Sequence, residues 1–250
     1  MDASASFEGR VVVVTGAGSG IGRAAALAFA RAGADVLGVG RRRDALDETA
    51  AGDPRIAVET ADLVTAGAPA RVVAAAVERW GKIDVLVNNA GAIRPMSLED
   101  TTAEAVDALF AVNVTAPSAL AAAALPHLRE TRGAIVNVSS TYGHRPLAGA
   151  AHYAATKGAI EQLTRSWALE LAPDHVRVNA LAPGALRTGL LSANGVADEV
   201  VDAMLDHELS RTPLGRLGEV SEIADWLLRV AAAPWLTGQV VTVDGGLSLH

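Results

Sequence analysis

The chain of 250 residues contains no cysteine, and it has only two lysines and two tyrosines. Without cysteine, disulfides and thiolate catalysis are excluded, together with the usual sulfur-rich zinc sites. The histidines, aspartates and glutamates form no cluster with metal-ligand spacing, so we expect no metal. Positive charge comes from 19 arginines, and Lys82 and Lys157 are the exceptions. A lysine is thus a rare residue in this chain, and its positions need an explanation.

An excess of positive charge is also lacking. The formal net charge is −7, with acidic and basic residues interspersed, so no basic surface for nucleic acid or anionic lipid is expected. The first residues, MDASASFEGR, lack a basic start followed by an apolar stretch, and no uninterrupted apolar segment reaches the roughly 18 residues that span a bilayer. We therefore expect a soluble, cytoplasmic protein that binds neither nucleic acid nor membrane.

Half of the residues are hydrophobic, which is ample for a buried core. Short β-branched runs alternate with longer alanine-rich amphipathic stretches, the pattern of a parallel sheet with helices on both faces. No linker-like segment divides the chain, so we predict a single-domain, Rossmann-like, doubly wound α/β fold over residues 1–250. About seven strands are predicted, at residues 11–14, 36–39, 56–58, 85–87, 135–138, 176–181 and 240–243.

Helices are predicted between these strands, at residues 21–32, 66–80, 103–112, 118–128, 151–171 and 220–230. The region 183–216 breaks the rhythm, because it combines two prolines, several glycines and a short amphipathic piece at 196–209. Ligands of α/β sheets bind beyond the carboxyl ends of the strands. An extended insertion after a strand is therefore a candidate substrate lid, which we place at about residues 184–216.

A glycine-rich stretch, TGAGSGIG, follows the first predicted strand and leads directly into an amphipathic helix. Backbone amides at a helix start carry the positive end of the helix dipole, and glycines let a pyrophosphate approach without a Cβ in the way. The spacing, Gly16-x-x-x-Gly20-x-Gly22, differs from the G-x-G-x-x-G usual for dinucleotides. A tight turn alone can also require glycines, but four in seven residues favour a phosphate site.

The end of the second strand distinguishes the two nicotinamide dinucleotides. An acidic side chain there accepts hydrogen bonds from the ribose hydroxyls of NAD(H), whereas an arginine pairs with the 2′-phosphate of NADP(H). The chain reads VLGVGRRRD, so that Gly40 holds the place of the acid and Arg41 follows it. This favours NADP(H) over NAD(H), with a solvated basic turn as the alternative. Asp62, after the third strand, could contact adenine or simply cap a turn.

The stretch HYAATKG places Tyr153 and Lys157 four residues apart, on one face of a predicted helix. A free tyrosine has a pKa of about 10, so acting as a base near neutrality requires stabilisation of the phenolate, which a nearby ammonium provides. Lysine is a compact point charge on a flexible stem, whereas arginine is a rigid fork. The preceding strand ends in Ser139-Ser140, where a hydroxyl could polarise a substrate carbonyl. A surface Tyr/Lys pair and serine turn chemistry are the alternatives for each signal taken alone.

Taken together, these motifs resemble the short-chain dehydrogenase/reductase family, and among its members the 3-oxoacyl carrier-protein reductases. Thr15–Gly22 matches the family's TGxxxGxG cofactor turn, and NNAG at Asn88–Gly91 matches the stabilising turn after the fourth strand. Ser140, Tyr153 and Lys157 match the catalytic serine and the YxxxK motif. Four further segments extend the resemblance over nearly the whole chain: VNVT at 112–115, PGALRT at 183–188, PLGRLGE at 213–219 and LTGQVVTVDGG at 236–246.

The resemblance implies a role for each matching residue. Tyr153 would be the general acid in ketone reduction and the general base in alcohol oxidation, Lys157 would lower its pKa and hold the nicotinamide ribose, and Ser140 would orient the carbonyl. Asn113 would bend its helix and bind a water that contacts the lysine. The implied cofactor contacts are Gly16, Ser19, Gly20, Ile21, Gly22, Arg41, Asp62, Leu63, Asn89, Ala90, Gly91, Tyr153, Lys157, Pro183, Gly184, Leu186 and Thr188.

One departure from the family concerns the cofactor. Many NADP-preferring members carry a basic residue just before the second glycine of the turn, where this chain has Ser19. The prediction of NADP(H) therefore rests on Arg41 and the missing acid.

The substrate is expected to be a small carbonyl compound or secondary alcohol, with 3-oxoacyl thioesters and polyketide-like ketones among the candidates. The predicted substrate-binding residues are Met96, Ser140, Tyr142, His144, Leu147, Tyr153 and Leu190, with a surface position as the alternative for His144. The resemblance implies that the alanine-rich helices at 103–128 and 151–171 form subunit contacts in a homotetramer, although intradomain packing explains part of their composition. Two other functions remain open: a cofactor-binding protein without turnover, and an isomerase or dehydratase on the same scaffold.

Overall fold

Seven parallel strands form one sheet in the computed structural model, which describes residues 6–249. The β-branched runs occupy these strands because branched side chains pack well on a pleated surface. The strands are β1 Val11–Thr15, β2 Asp35–Gly40, β3 Ile56–Thr60, β4 Val85–Asn88, β5 Ala134–Val138, β6 Arg177–Pro183 and β7 Val240–Val243. The predicted doubly wound, single-domain fold is confirmed.

Helices fill the connections between the strands within residues 6–249. They are α1 Gly20–Arg31, α2 Arg43–Ala50, α3 Ala68–Trp80, α4 Ala103–Phe110, α5 Ala116–Thr131, α6 Ala151–Leu171, α7 Leu190–Ala193, α8 Asp198–Arg211 and α9 Val220–Ala232. Helices α2 and α7 were not predicted from the sequence. Helix α7 has only four residues, and α2 begins inside the charged run RRRD, which we interpreted as a phosphate site with a solvated turn as the alternative.

Strand β1 shows why both faces of the sheet must be covered. Val12 and Val14 pack into a core cluster with α1 and α9, whereas Val13 packs on the opposite face with α3, α5 and α6. Successive side chains of a strand point to opposite faces, so a strand buried on both sides must be apolar throughout. Each buried valine contributes roughly 1.5–3 kcal/mol relative to an exposed one.

The strand order is β3-β2-β1-β4-β5-β6-β7. The chain moves outward from β1 to β3 and then returns to the other side of β1, so the order reverses between β1 and β4. At such a point the following loops diverge and open a crevice at the carboxyl ends of the strands. The glycine turn after β1 and the NNAG turn after β4 both lie at this crevice.

The first of the two lysines has a structural role. Lys82 Nζ lies 3.0 Å from Asp84 Oδ2, and the same oxygen accepts a 2.8 Å hydrogen bond from Val11 N. The Asp84 carboxylate is buried, so its partners satisfy a charge that would otherwise be costly. This contact joins the start of β4 to the start of β1, far along the strands from the crevice.

Helices α4 and α5 are continuous through a π-helical turn at Ala111–Thr115. The predicted break between residues 112 and 118 is therefore wrong, because Pro117 falls in the first turn of α5, where a missing N–H costs little. By length and composition alone, Ala103–Thr131 could cross a membrane. Core helices of folded domains pass the same test, and Leu120 and Leu128 of this helix are fully buried beneath the sheet.

Candidate active site

A cleft of about 560 Å³ runs along the carboxyl edge of the sheet. At one end it is lined by the glycine turn after β1 and by the end of β2. At the other end it is lined by the ends of β5 and β6, by the start of α6, and by α7 and α8 on the outside. The cleft therefore joins the predicted phosphate site to the predicted catalytic residues.

The glycine turn is held in place by Asn89. Its Nδ2 donates a 2.7 Å hydrogen bond to the carbonyl oxygen of Thr15, and its backbone N donates to Thr15 Oγ1 at 2.9 Å. A Cβ on Gly16 would lie 2.7 Å from Asn89 Nδ2, and one on Gly22 would lie 2.5 Å from it. These two glycines are therefore required for the turn to pack against the NNAG segment. Gly22 does not itself line the cleft.

Gly20 has a different environment. It begins α1 with a φ of 51°, and a Cβ at this position would lie 3.6 Å from Thr188 Cβ. Ser19 precedes it as the N-cap residue and makes no side-chain cap hydrogen bond within residues 6–249. The first N–H groups of α1 are thus left to other partners, at the positive end of the helix dipole. Thr188, from the segment after β6, lies beside this helix N-terminus.

The end of β2 presents no acidic side chain to the cleft. Gly40 is the last residue of the strand, and it lines the cleft with Arg41 and Arg42, both of which are exposed. Arg43, by contrast, pairs with Asp47 at 2.8 Å and does not line the cleft. The local charge at this end of the cleft is therefore positive.

Asp62 both caps a turn and lines the cleft. Its Oδ1 accepts a 3.3 Å hydrogen bond from Val64 N, and its exposed side chain stands beside Leu63 at the cleft wall. The turn-capping alternative left open by the sequence is thus observed, and the carboxylate keeps further acceptor positions for a ligand.

Ser140 and Tyr153 meet at the far end of the cleft. Ser140 follows β5 and caps a short 3₁₀ turn, with its Oγ accepting from Tyr142 N at 3.3 Å. Tyr153 lies in the first turn of α6, is 7% exposed, and hydrogen-bonds the side chain of Ser140. Burial raises the pKa of Tyr153 above its ordinary value, and the hydrogen bond with Ser140 opposes that rise.

The side chain of the neighbouring Ser139 contacts helix α6. Its hydroxyl donates to Glu161 Oε1 at 3.0 Å and lies 3.3 Å from the carbonyl oxygen of Lys157. Of the two serines at the end of β5, Ser140 is thus the one whose hydroxyl contacts Tyr153.

Lys157 lies one helical turn after Tyr153, with Nζ 5.8 Å from the centre of the tyrosine ring. Nζ donates a 2.8 Å hydrogen bond to the carbonyl oxygen of Val138 at the end of β5. A Cβ on Gly91 would lie 3.6 Å from Nζ, so the NNAG turn closely approaches the lysine. Burial lowers the pKa of Lys157 to about 8, because the buried ammonium loses hydration.

The predicted effect of Lys157 on Tyr153 is not observed in this structure, since the pKa of Tyr153 is raised rather than lowered. Removing a phenolate from water is costly, and the ammonium is directed at the Val138 carbonyl rather than at the phenol. Tyr153 is consequently held as a neutral phenol, the form that donates a proton.

Asn113 lies in the π-helical turn and is 3% exposed. Its Oδ1 accepts from Ala92 N at 2.8 Å, while its Nδ2 donates to Ala92 O at 2.9 Å and to Thr156 Oγ1 at 3.0 Å. The side-chain amide therefore joins the segment after β4 to helix α6, beside Lys157. In this structure Asn113 supports the site through its side chain and does not line the cleft.

Two predicted substrate-binding residues, His144 and Met96, lie outside the cleft. His144 Nδ1 lies 3.0 Å from Glu161 Oε1 and its Nε2 lies 3.4 Å from Thr242 Oγ1, so the imidazole bridges α6 and β7. Met96 is buried, and its backbone N donates to Gly149 O at 2.6 Å. The structure therefore places neither side chain at the cleft: the His144 imidazole is held by Glu161 and Thr242, and Met96 is buried elsewhere.

The wall beyond Tyr153 is mainly apolar. Its apolar residues come from the segment after β4, the loop after Ser140, and helices α7 and α8: Ile93, Leu147, Leu190, Leu191, Val201, Met204 and Leu205. Tyr142 and Glu208 add polar groups to this wall. Glu208 was not predicted from the sequence, although the spacing 201, 204, 205 and 208 places it on the inward, apolar face of α8.

Comparison with known proteins identifies relatives over nearly the whole chain. A family model described as Enoyl-(Acyl carrier protein) reductase matches residues 16–248. An uncharacterised oxidoreductase of Mycobacterium tuberculosis is 40% identical, over 97% of this chain and 93% of the relative. The 3-oxoacyl-[acyl-carrier-protein] reductase of Thermotoga maritima is 36% identical, covering 96% and 98%. The L-xylulose reductase of Mus musculus is 37% identical, covering 95% and 96%.

Solved structures share the fold closely. A short-chain dehydrogenase/reductase of unknown function from Caenorhabditis elegans, determined with cofactor, matches with a TM-score of 0.90 and 32% identity, over 97% of this chain and 96% of that chain. The 3-ketoacyl-(acyl-carrier-protein) reductase of Brucella melitensis complexed with NADH matches with a TM-score of 0.89 and 34% identity, over 97% and 100%.

Proposed function

Because this chain belongs to the short-chain dehydrogenase/reductase family of NAD(P)-dependent oxidoreductases, we propose that it interconverts a ketone and a secondary alcohol. The observation that carries this proposal is the buried, hydrogen-bonded pair Ser140 and Tyr153, at one end of a cleft whose other end is a glycine turn at a helix N-terminus. We assign catalysis to Ser140, Tyr153 and Lys157, supported by Asn113.

The cleft suits an extended dinucleotide. The N-terminus of α1, with Gly20 and the facing Thr188, forms a cradle for a pyrophosphate. Gly91 leaves room beside Lys157 Nζ, where a ribose hydroxyl can accept from the ammonium. When bound, a nicotinamide dinucleotide supplies the hydride for ketone reduction and accepts it for alcohol oxidation.

The proposed roles follow from protonation states. In ketone reduction, Ser140 donates a hydrogen bond to the carbonyl oxygen, and Tyr153 donates its proton to the oxygen as negative charge develops there. Tyr153 suits this role because burial keeps its phenol protonated. Lys157, with a pKa of about 8, is mostly an ammonium at neutral pH and stabilises the tyrosine anion that remains. Alcohol oxidation uses the same groups in reverse.

The finer proposal for the cofactor is a preference for NADP(H). Arg41 and Arg42 are exposed at the end of β2, and Gly40 presents no carboxylate that would repel a 2′-phosphate. A guanidinium matches the geometry of a phosphate and can form two hydrogen bonds with it.

The proposed assembly is a homotetramer, and the proposed location is the cytoplasm. Large apolar side chains at the surface support self-association: Leu169 is 81% exposed and Trp235 is 99% exposed. Burial of such groups between subunits would remove apolar surface from water. Size-exclusion chromatography with light scattering measures the number of subunits directly.

We also propose that residues 184–216, which include α7 and α8, act as the substrate lid.

The first experiment is a fluorescence titration of the purified protein with NADPH and NADH in parallel, followed by ketone reduction assays with the tighter-binding cofactor. Binding with turnover of a ketone supports the proposed oxidoreductase. Binding without turnover of any ketone or alcohol would favour a cofactor-binding protein, and conversion without net cofactor oxidation would favour an isomerase or dehydratase. Tighter binding of NADH would contradict the NADP(H) preference.

A further inference from the structure

A polar cluster joins the loop after Ser140 to the lid helix α8. Arg145 Nη1 lies 3.6 Å from Glu208 Oε2, and the Arg145 guanidinium lies 5.7 Å from the centre of the Tyr142 ring. The Tyr142 hydroxyl hydrogen-bonds Glu208. The side chains of Arg145 and Glu208 are only 9% and 12% exposed. A charged pair this deep in an otherwise apolar wall is costly to desolvate, so stability alone is a weak reason for it.

Within this cluster, Glu208 and Tyr142 line the cleft, whereas Arg145 stands behind them. Glu208 Oε2 is buried and accepts no hydrogen bond from the described part of the chain. A carboxylate offers about four acceptor positions. Oε2 lies against Arg145, and Tyr142 supplies one further hydrogen bond, so the carboxylate keeps other acceptor positions for a ligand that enters the cleft beside Glu208.

Tyr142 fixes where that acceptor stands relative to the reacting centre. Its backbone N donates to Ser140 Oγ at 3.3 Å, while its hydroxyl bonds Glu208. One tyrosine thus connects the side chain proposed to orient the substrate carbonyl with the carboxylate on the lid. A substrate whose carbonyl meets Ser140 and Tyr153 extends into the wall that contains Glu208.

The chemistry of this wall defines the group that it would bind. A carboxylate accepts hydrogen bonds from hydroxyls and repels anions such as carboxylates and phosphates. The remaining side chains of the wall are largely apolar and suit a short carbon skeleton. The complementary ligand is an uncharged ketone that carries a hydroxyl.

We propose that Glu208 is a specificity-determining residue that accepts a hydrogen bond from a substrate hydroxyl, so that the enzyme prefers hydroxyketones over ketones of the same skeleton without the hydroxyl. This inference rests on the oxidoreductase function proposed above. It goes beyond that function because it names the substrate class and the residue that selects it.

The test compares two matched ketone pairs: 3-hydroxy-2-butanone with 2-butanone, and 2-hydroxycyclohexanone with cyclohexanone. For the wild-type protein we expect kcat/KM to be about 10- to 100-fold higher for the hydroxyketone of each pair, the effect of a hydrogen bond to a charged group. In Glu208→Leu this ratio falls toward the intrinsic reactivity ratio of the two ketones. In Glu208→Gln, which keeps an acceptor oxygen without the charge, the ratio is intermediate.

Asp206→Asn is the matched control, because it removes a carboxylate from the same helix at an exposed position outside the cleft. It should keep the wild-type ratio. Intrinsic reactivity differences between the ketones cancel when the ratios of wild type and variant are compared. Cofactor titration of each variant verifies that the protein is folded.

The outcomes separate this inference from the proposed function. If wild type and Glu208→Leu show the same ratio, or if both ketones lose activity in parallel, Glu208 is only a structural link between loop and lid and the inference is overturned. A wild-type preference for the simple ketones would also overturn it. If the wild-type protein reduces other ketones but neither hydroxyketone, this inference is overturned and the proposed function stands; if it turns over no ketone or alcohol at all, the proposed function fails and this inference fails with it.

Discussion

Lys157 Nζ donates a 2.8 Å hydrogen bond to the carbonyl oxygen of Val138, the last residue of β5. The bond joins helix α6, which carries Tyr153, to the strand whose end carries Ser140. It uses one of the three N–H donors of the ammonium, so two remain for a ligand in the cleft. The relative positions of the three proposed catalytic residues therefore depend on a contact between one helix and one strand end.

Replacing Tyr153 with phenylalanine should lower turnover by about 10²- to 10⁴-fold, because only the proton donor is removed. The affinity for the cofactor should stay close to that of the wild-type protein, because the ring remains in place. Steady-state assays and fluorescence titration measure the two effects separately. A fully active phenylalanine variant would remove Tyr153 from the proposed mechanism.

Replacing Lys157 with arginine should lower both turnover and cofactor affinity. The planar guanidinium is broader than an ammonium, and Nζ already lies close to Gly91 and to the Val138 carbonyl. We expect a loss of at least about 10-fold in kcat/KM, the cost of one misplaced charged hydrogen bond. Unchanged kinetics would show that a positive charge at this position is sufficient, whatever its shape.

The buried ammonium of Lys157 should make stability depend on pH. Its pKa is about 8 in the folded protein and about 10.4 in an unfolded chain. Between these values the unfolded chain binds more protons, so this group makes stability rise with pH, and its cost is fully present below pH 8. Wild type should gain about 2 kcal/mol relative to Lys157→Met between about pH 7 and 9.5. Urea unfolding measures this difference, and parallel pH curves for the two proteins would contradict it.

Arg41→Asp should weaken NADPH binding about 10- to 100-fold and affect NADH far less, because only NADPH carries the 2′-phosphate that the arginine would pair with. Arg43→Asp is the matched control: it makes the same change of charge two residues away, outside the cleft. Parallel fluorescence titrations of both variants with NADPH and NADH measure these changes in affinity. Equal losses for NADPH and NADH, or equal effects of the two substitutions, would exclude Arg41 as the phosphate-binding residue.

Asn113→Ala should lower the free energy of unfolding by about 2–4 kcal/mol, because it leaves both backbone groups of Ala92 without their partner. Thr156→Val, which removes only one of the hydrogen bonds made by Asn113, should cost about 1 kcal/mol. Chemical denaturation of the two variants measures which one loses more free energy of unfolding. Equal losses would mean that the Ala92 contacts add little.

The sequence by itself determined the sheet and much of the candidate site. All seven strands were predicted, because a strand buried on both faces needs a continuous apolar run such as VVVV in β1. The glycine turn, the NNAG turn and the YxxxK motif are local patterns. Every predicted cofactor residue except Gly22 lines the cleft, because the carboxyl ends of parallel strands meet at one edge.

Only the tertiary structure decided which side chains face the cleft. It also decided the protonation state of the tyrosine at the site. His144 was expected at the substrate and instead bonds Glu161, 17 residues away, whereas Glu208 was missed and lines the wall. The pKa of Tyr153 depends on burial, which no spacing along the chain reveals. The reason is physical: propensity and periodicity act over one turn or one strand, whereas desolvation and polar contacts arise between segments that fold together from distant parts of the chain.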